Sequence, residues 1–242
     1  MLGIAFEGCA CRAAFHAGVA AALAEAKLSF AMSSGASSGS LCAAAVAAEK
    51  GTQLPTMWRA LAGRSVISLR RILWNRSPFD MSHIVRSALR DNLGSLDLRN
   101  FPTEALIVAT RMRDLSRIVY SSRQESDLIE PLLGSCFFPV LYGRPVKVRD
   151  DWLLDGGAID NMPVEILADK GVKDIVCVVT SEQGTVNKTP LRKRWRPVAH
   201  GAKLHLIKPS RRLSVKSWDF NVDHMNEAID EGYRQGRLFV GQ

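Results

Sequence analysis

The sequence predicts a single α/β domain in which helices flank a mostly parallel central sheet. Residues 2–6 and 28–34 are apolar, strand-like runs, and each is followed by an alanine-rich helical pattern, over residues 13–27 and 38–50 respectively. Two strand–loop–helix units in succession imply right-handed crossovers and parallel strands. A later valine-rich run, residues 174–180, is typical of a core strand in the same sheet.

The remaining elements are predicted from hydrophobic periodicity and capping residues. In chain order we expect a helix at 81–93 capped by Asp80, strands at 106–110 and 117–121, a helix at 125–133, extended segments at 146–148 and 152–154, a helix at 163–170, a strand at 204–207 and a closing helix at 224–239. The chain contains no recognisable linker or repeat. Its length of 242 residues therefore fits one domain over residues 1–242.

The composition indicates a protein with a sizeable core, since 47% of the residues are hydrophobic. No apolar run approaches the roughly 20 residues needed to span a bilayer, and residues 1–6 lack the basic segment of a signal peptide. We therefore expect a cytoplasmic or peripheral membrane protein. The five cysteines are odd in number and irregularly spaced, which favours reduced thiols over disulfides.

The net charge of +8 is unevenly distributed. Residues 52–79 contain five arginines and no acid, and residues 183–218 contain ten lysines and arginines and again no acid. A basic surface favours anionic partners, although a solvated cationic face without a partner gives the same pattern. Apolar residues interleave with the arginines between Trp58 and Arg76. This interleaving favours peripheral contact with an anionic membrane, and no nucleic acid partner is expected.

Residues 35–39, Gly-Ala-Ser-Ser-Gly, match the pattern G-x-S-x-G with Ser37 at the centre. They lie between a predicted strand and a predicted helix, which is the context of a nucleophile elbow. A strained turn would expose the hydroxyl group, and the helix start would supply amide donors where an oxyanion forms. A plain Ser/Gly-rich turn that caps a helix has the same composition.

A candidate carboxylate, Asp155, follows the extended segment 152–154 and precedes two glycines. The dipeptide Asp-Gly on its own is typical of an ordinary turn. Together with the loop at residues 8–12 and with Ser37, however, Asp155 completes the set that an ester hydrolase needs: amide donors, a serine and a carboxylate.

Four blocks, at residues 8–13, 35–39, 134–139 and 155–163, occur in an order and spacing that resemble the patatin-like phospholipase family. The resemblance runs from residue 2 to about residue 179. It implies a three-layer patatin-like sandwich and a carboxylic-ester hydrolase active in lipid degradation on phospholipid or lysophospholipid esters, without a metal or another cofactor. It also implies these site residues: Ser37 as nucleophile and Asp155 as its partner in a Ser–Asp dyad; the amides of Gly8, Cys9, Ala10 and Ser38 in the oxyanion hole; and Arg12, Gly35, Gly39, Gly156 and Gly157 as supporting residues of the motifs.

The sequence departs from the family pattern where Cys9, Ala10 and Ala13 replace glycines. If one of these positions needs a positive φ, the strain is about 1–2 kcal/mol. One alternative is therefore a catalytically weak or inactive patatin-like protein of the membrane surface.

A second alternative is an α/β-hydrolase with a Ser-Asp-His triad, since His200, His205 and His224 follow Asp155. That fold places several strands before its elbow, whereas only 36 residues precede Ser37. We therefore expect catalysis without any histidine. A Rossmann-type nucleotide binder would need G-x-G-x-x-G after the first strand, and the loop lacks that pattern.

Overall fold

The computed structural model describes residues 1–62, 81–93, 97–139, 145–187, 194–195 and 197–241. Its helices are α1 (Ala14–Glu25), α2 (Ser38–Ala47), α3 (Leu54–Arg59), α4 (Met81–Leu93), α5 (Ile129–Ser135), α6 (Glu165–Asp169) and α7 (Val222–Val240). Its strands are β1 (Leu2–Phe6), β2 (Met32–Ala36), β3 (Glu104–Arg111), β4 (Arg117–Ser121), β5 (Val146–Val148), β6 (Asp151–Leu154), β7 (Asp174–Val178), β8 (Val186–Asn187), β9 (Arg194–Trp195) and β10 (Lys203–Ile207).

The central sheet has the strand order β10-β7-β1-β2-β3-β6-β5, with β4 also paired to β3. The strands from β10 to β3 are parallel, which confirms the predicted mostly parallel sheet. Strands β4, β5 and β6 run antiparallel to their neighbours, and the sequence did not predict this direction. Only residues 112–116 join β3 to β4, which is too short for the crossover that parallel strands require.

Helices cover both faces of the sheet, as predicted. Successive side chains of a strand point to opposite faces. Ile4 and Phe6 of β1 therefore pack against a core formed with α1, α2 and α7, whereas Ala5 packs on the other side in a core that includes Met162 and Leu167. This arrangement places the carboxyl ends of β1 and β2 side by side at one edge of the sheet.

Several predicted boundaries are wrong by a few residues. Strand β2 begins at Met32, paired with Gly3, instead of at residue 28, because the chain first closes α1 with a hydrogen bond from the Leu28 amide to the Leu23 carbonyl oxygen. Helix α5 begins at Ile129 instead of at residue 125.

The start of helix α5 is fixed by a short-range contact, in which the Ile129 amide donates to the Asp127 carboxylate at 2.7 Å. The helix predicted at 163–170 is shorter, Glu165–Asp169, and α3, β8 and β9 were not predicted. Asp80, the predicted cap of α4, lies outside the described residues.

No helix in the described part of the chain is long and apolar enough to cross a membrane. All five cysteines are free; Cys9 is half-buried and the other four are buried.

Candidate active site

The predicted elbow is a strand–turn–helix unit. Strand β2 ends at Ala36, α2 begins at Ser38, and Ser37 between them has φ 51° and ψ −132°. A left-handed φ in a residue other than glycine is strained by about 1–3 kcal/mol. The turn packs closely against β1, because a Cβ atom at Gly39 would lie 2.5 Å from the carbonyl oxygens of Phe6 and Glu7. Tight packing therefore holds Ser37 in its strained conformation.

The side chains of Ser37 and Asp155, 118 residues apart in the sequence, are in direct contact. The Ser37 hydroxyl donates to Asp155 Oδ2 at 2.6 Å. The Gly157 amide donates to the other carboxylate oxygen at 2.7 Å. The backbone of Asp155 is also fixed, since its amide donates to the Phe137 carbonyl at 2.9 Å and its carbonyl accepts from Thr110 Oγ1 at 2.8 Å. The carboxylate is thus held in place from both its side chain and its main chain.

The environment makes Asp155 a stronger base than an ordinary aspartate. Burial raises the pKa of its carboxyl group from 3.8 to about 6, because a low-polarity surrounding disfavours the charged form. The hydrogen bonds from Ser37 and Gly157 favour the charged form and lower the pKa, but their combined effect is smaller. The carboxylate can therefore take a proton from the hydroxyl more readily than a solvated aspartate could.

The loop after β1 engages two of the four predicted oxyanion donors in other bonds. The Gly8 amide donates to the Asn161 carbonyl at 3.0 Å, and the Cys9 amide donates to Ser38 Oγ at 3.1 Å. Within the described residues we find no protein acceptor for the amides of Ala10 and Ser38. Ala10 has φ 52°, so the positive φ considered in the sequence analysis does occur at a replaced glycine.

A cavity of about 520 Å³ opens onto these groups and is lined by Ser37, Asp155 and the loop residues from Glu7 to Ala10. Its rim carries two aromatic side chains, Phe138 and Trp218, whose ring centroids are 6.2 Å apart. The cavity therefore combines a polar floor with an apolar rim.

A model of the patatin-like phospholipase family matches residues 4–168, which is more than half of the chain. The chain belongs to the patatin-like phospholipase family. This membership favours the patatin-like interpretation over the α/β-hydrolase alternative.

Two solved structures are similar to this chain. VipD from Legionella pneumophila has a TM-score of 0.52 and is 12% identical, over 99% of this chain and 66% of its own. The type III effector protein ExoU has a TM-score of 0.49 and is 14% identical, over 100% of this chain and 53% of its own. The chain thus spans about two thirds of VipD and about half of ExoU. At this identity the likeness to VipD concerns the fold, a mostly parallel sheet flanked by helices.

Cys9, a departure from the patatin-like pattern, adjoins a buried histidine. Its Sγ atom lies 3.9 Å from both ring nitrogens of His16 and 3.8 Å from Ser38 Oγ. Burial, followed by the nearby Glu7 charge, raises the pKa of the Cys9 thiol well above its ordinary value. Burial also lowers the pKa of His16 to about 3. Both groups are therefore neutral at neutral pH, which disfavours a thiolate nucleophile here.

Arg12, predicted as a supporting residue, ties the loop to the end of β7. Its guanidinium donates to the Thr180 carbonyl, and the Thr180 amide donates to Glu7 Oε2 at 2.8 Å. These bonds fasten the loop, whose residues Glu7 and Arg12 line the cavity, to the segment that follows β7.

The histidines after Asp155 lie in other contacts. His205 Nε2 is 2.9 Å from Asp174, His224 Nδ1 is 2.7 Å from Asp219, and His200 is exposed. None of the contacts of these three histidines involves the dyad.

Two residues within the family blocks, Asn161 and Ser135, contact the site although the sequence analysis predicted no role for them. Asn161 is buried, and its carbonyl accepts the Gly8 amide. Ser135 accepts the Ser37 amide at 2.9 Å. The sequence feature that could have indicated them is their place in the family blocks at 155–163 and 134–139. The rim residue Trp218 lies outside all four blocks, so the motifs gave no signal for it.

Proposed function

We propose that this chain is a serine acyl hydrolase that cleaves phospholipid or lysophospholipid esters with a Ser37–Asp155 dyad, within one acyl-hydrolase domain over residues 1–242. The observation that carries the proposal is the 2.6 Å hydrogen bond from the Ser37 hydroxyl to Asp155, whose pKa is raised to about 6. The fixed position of the carboxylate compensates for its modest basicity, because a contact already in place makes proton transfer from Ser37 effectively intramolecular.

The reaction divides into two steps. Asp155 takes the hydroxyl proton as Ser37 Oγ bonds to the acyl carbonyl carbon, and the carbonyl electron pair moves onto its oxygen. The intermediate collapses, the ester C–O bond breaks, and the leaving alcohol takes the proton from Asp155. Water then attacks the acyl-enzyme and gives a proton to Asp155. Breaking the Ser37–acyl bond releases the fatty acid and returns that proton to the serine.

We assign stabilisation of the oxyanion to the amides of Ala10 and Ser38. The predicted donors Gly8 and Cys9 instead hold the loop through their bonds to Asn161 and Ser38. The Ser38 amide also belongs to the first turn of α2, where the helix dipole favours negative charge. An anion at this position would meet two donors without breaking an existing bond.

The rim supports a lipid substrate delivered from a membrane. Phe138 and Trp218 are 47% and 55% exposed although both are large and apolar. Aromatic rings of this kind are enriched where an apolar phase meets water. Lys216 is exposed two residues before Trp218 and would face anionic head groups. Peripheral contact with an anionic membrane is thus proposed here, whereas the predicted arginine-rich stretch lies mostly outside the described residues.

The decisive experiment compares wild type with Ser37→Ala and Asp155→Asn on a panel of phospholipids, lysophospholipids and a soluble short-chain ester. Both variants should lose turnover by several orders of magnitude, and Ser37→Ala should lose labelling by a fluorophosphonate. Ser34→Ala is the matched control, because Ser34 is a buried serine of β2 that donates to the Pro163 carbonyl. Full turnover by folded Ser37→Ala protein would end the assignment.

A catalytically weak or inactive relative is the second candidate, and Ala10 is the observation that favours it. A Cβ atom at φ 52° strains the loop whose amide we assign to the oxyanion. If wild type is inactive on every ester and Ala10→Gly or Cys9→Gly gains turnover, this second candidate is correct.

A further inference from the structure

Ser135, at the end of α5, makes two hydrogen bonds beneath the elbow. Its side chain is fully buried, at 0% exposure. Its Oγ atom accepts the Ser37 amide at 2.9 Å and donates to the Val108 carbonyl at 2.6 Å. The first contact joins residues 98 positions apart in the sequence.

These two bonds lie where strands β2 and β3 part. Ala36 and Val108 are the last register partners of this parallel pair. The chain then turns at Ser37 with φ 51°, so its amide leaves the regular ladder. A buried amide without an acceptor is strongly unfavourable. The Ser135 hydroxyl fills that gap as a side-chain link between the Ser37 amide and the Val108 carbonyl.

The same hydroxyl also lies beneath the turn that carries Asp155. A Cβ atom at Gly156 would lie 2.1 Å from the Val108 carbonyl oxygen and 3.2 Å from Ser135 Oγ. The Val108 carbonyl and the Ser135 hydroxyl therefore support both turns of the dyad. A change in either would alter the separation of Ser37 and Asp155.

We propose that Ser135 is a positioning residue that fixes the Ser37 amide and, through it, the approach of Ser37 Oγ to Asp155. This role rests on the proposed acyl-hydrolase function, and it adds to that function a residue that touches neither substrate nor proton. Acting through the backbone of the nucleophile, it determines how often the hydroxyl and the carboxylate are within reaction distance.

Ser33 provides a matched control. It is also 0% exposed and also donates its hydroxyl to a backbone carbonyl, that of Ala43, at 2.8 Å. The hydrogen bond of its hydroxyl does not involve Ser37. Replacing either serine by alanine removes one buried hydroxyl and its bond to a backbone carbonyl, but only Ser135→Ala also removes the hydrogen bond to the elbow.

The test compares Ser135→Ala, Ser135→Cys and Ser33→Ala by three measurements: hydrogen exchange of the Ser37 amide in serine-labelled protein, kcat and KM on a soluble ester, and unfolding in urea. In Ser135→Ala the Ser37 amide should exchange faster and kcat should fall about 10–100-fold with KM nearly unchanged, as expected for a misplaced nucleophile. Ser135→Cys, which keeps a weaker donor and acceptor, should lie between Ser135→Ala and wild type. Ser33→Ala should keep wild-type exchange and kcat.

Equal kcat and equal Ser37 exchange in Ser135→Ala and Ser33→Ala would overturn the proposal. If Ser135→Ala fails to fold, unchanged exchange and kcat in Ser135→Cys would overturn it instead. The exchange measurement needs no turnover. An inactive wild type whose Ser37 amide is protected through Ser135 would therefore refute the proposed function and leave the contact established.

Discussion

Replacing Asp155 by asparagine should stabilise the protein at neutral pH while abolishing turnover. The carboxyl group has a pKa of about 6 in the folded protein against an ordinary value of 3.8. A tenfold change in an acid dissociation constant corresponds to about 1.4 kcal/mol, so the ionised carboxylate destabilises the fold by up to about 3 kcal/mol. Partial exposure to the cavity reduces this figure, and we expect a gain of about 1–3 kcal/mol.

The sign of the pH dependence follows from the raised pKa. Between pH 3.8 and about 6 the folded protein binds more protons at Asp155 than the unfolded chain does. The stability contributed by the protonated group is therefore complete below pH 3.8 and is lost as the pH rises through about 6. Asparagine does not titrate, so the advantage of Asp155→Asn should appear over this interval and be constant above it.

The assay is urea unfolding of wild type and Asp155→Asn across a pH series from about 4 to about 8. Ser37→Ala is the control, because it also removes activity but keeps the carboxyl group. In this variant the pKa of Asp155 should rise further, since the hydrogen bond from the serine is lost. A difference in unfolding free energy between wild type and Asp155→Asn that is the same at both ends of the series would refute the reasoning. In wild type, kcat/KM should rise with pH through about 6, since the base must be ionised.

Three further predictions concern the loop, the histidines and the rim. Ala10→Gly should stabilise the protein by up to about 1 kcal/mol in urea unfolding, since relief of the strained φ exceeds the entropy added by glycine; a loss of stability would contradict the strain. Each histidine replaced singly by glutamine should keep ester turnover within about tenfold of wild type, whereas loss of a general base usually costs 10²–10⁴-fold; one folded but inactive variant would replace the dyad with a triad. In a Ser37→Ala background, Phe138→Ser with Trp218→Ser should weaken sedimentation with anionic vesicles about tenfold or more. Trp152→Ser is the control, because Trp152 is 46% exposed on β6 but does not line the cavity, and an equal loss there would contradict a specific rim.

The elements that position the nucleophile could be predicted from the sequence because their signals are local. A strand, a G-x-S-x-G turn and a helix follow one another within residues 28–50, and the structure confirms that context around Ser37. The contact of Ser37 with Asp155 was implied by the resemblance to a family and is present as a hydrogen bond.

Other features depend on long-range contacts that leave no local pattern. A serine at the end of a helix, such as Ser135, has many possible partners, and nothing in residues 129–135 indicates the elbow as the one it binds. The direction of β6 also depends on pairing with a distant strand. Backbone donors are identical in every sequence, so the engagement of the Gly8 and Cys9 amides could be seen only in the structure.

The replaced glycines in the loop suggested a weakened site, but the contacts around Ala10 support a different consequence. Ala10 adopts φ 52°, a conformation that glycine reaches without strain. The amide of Ala10 therefore has the same direction that the amide of a glycine with this φ would have. Hydrogen bonds hold the loop on both sides of Ala10. The Gly8 and Cys9 amides donate before it, and the Cys11 amide donates to the Ser217 carbonyl at 3.0 Å after it. Because alanine has fewer conformations than glycine in the unfolded chain, the loop also loses less entropy on ordering. The strain at Ala10 exceeds this entropic gain, so the alanine at residue 10 should lower stability more than it lowers kcat. The urea and turnover measurements on Ala10→Gly separate these two effects.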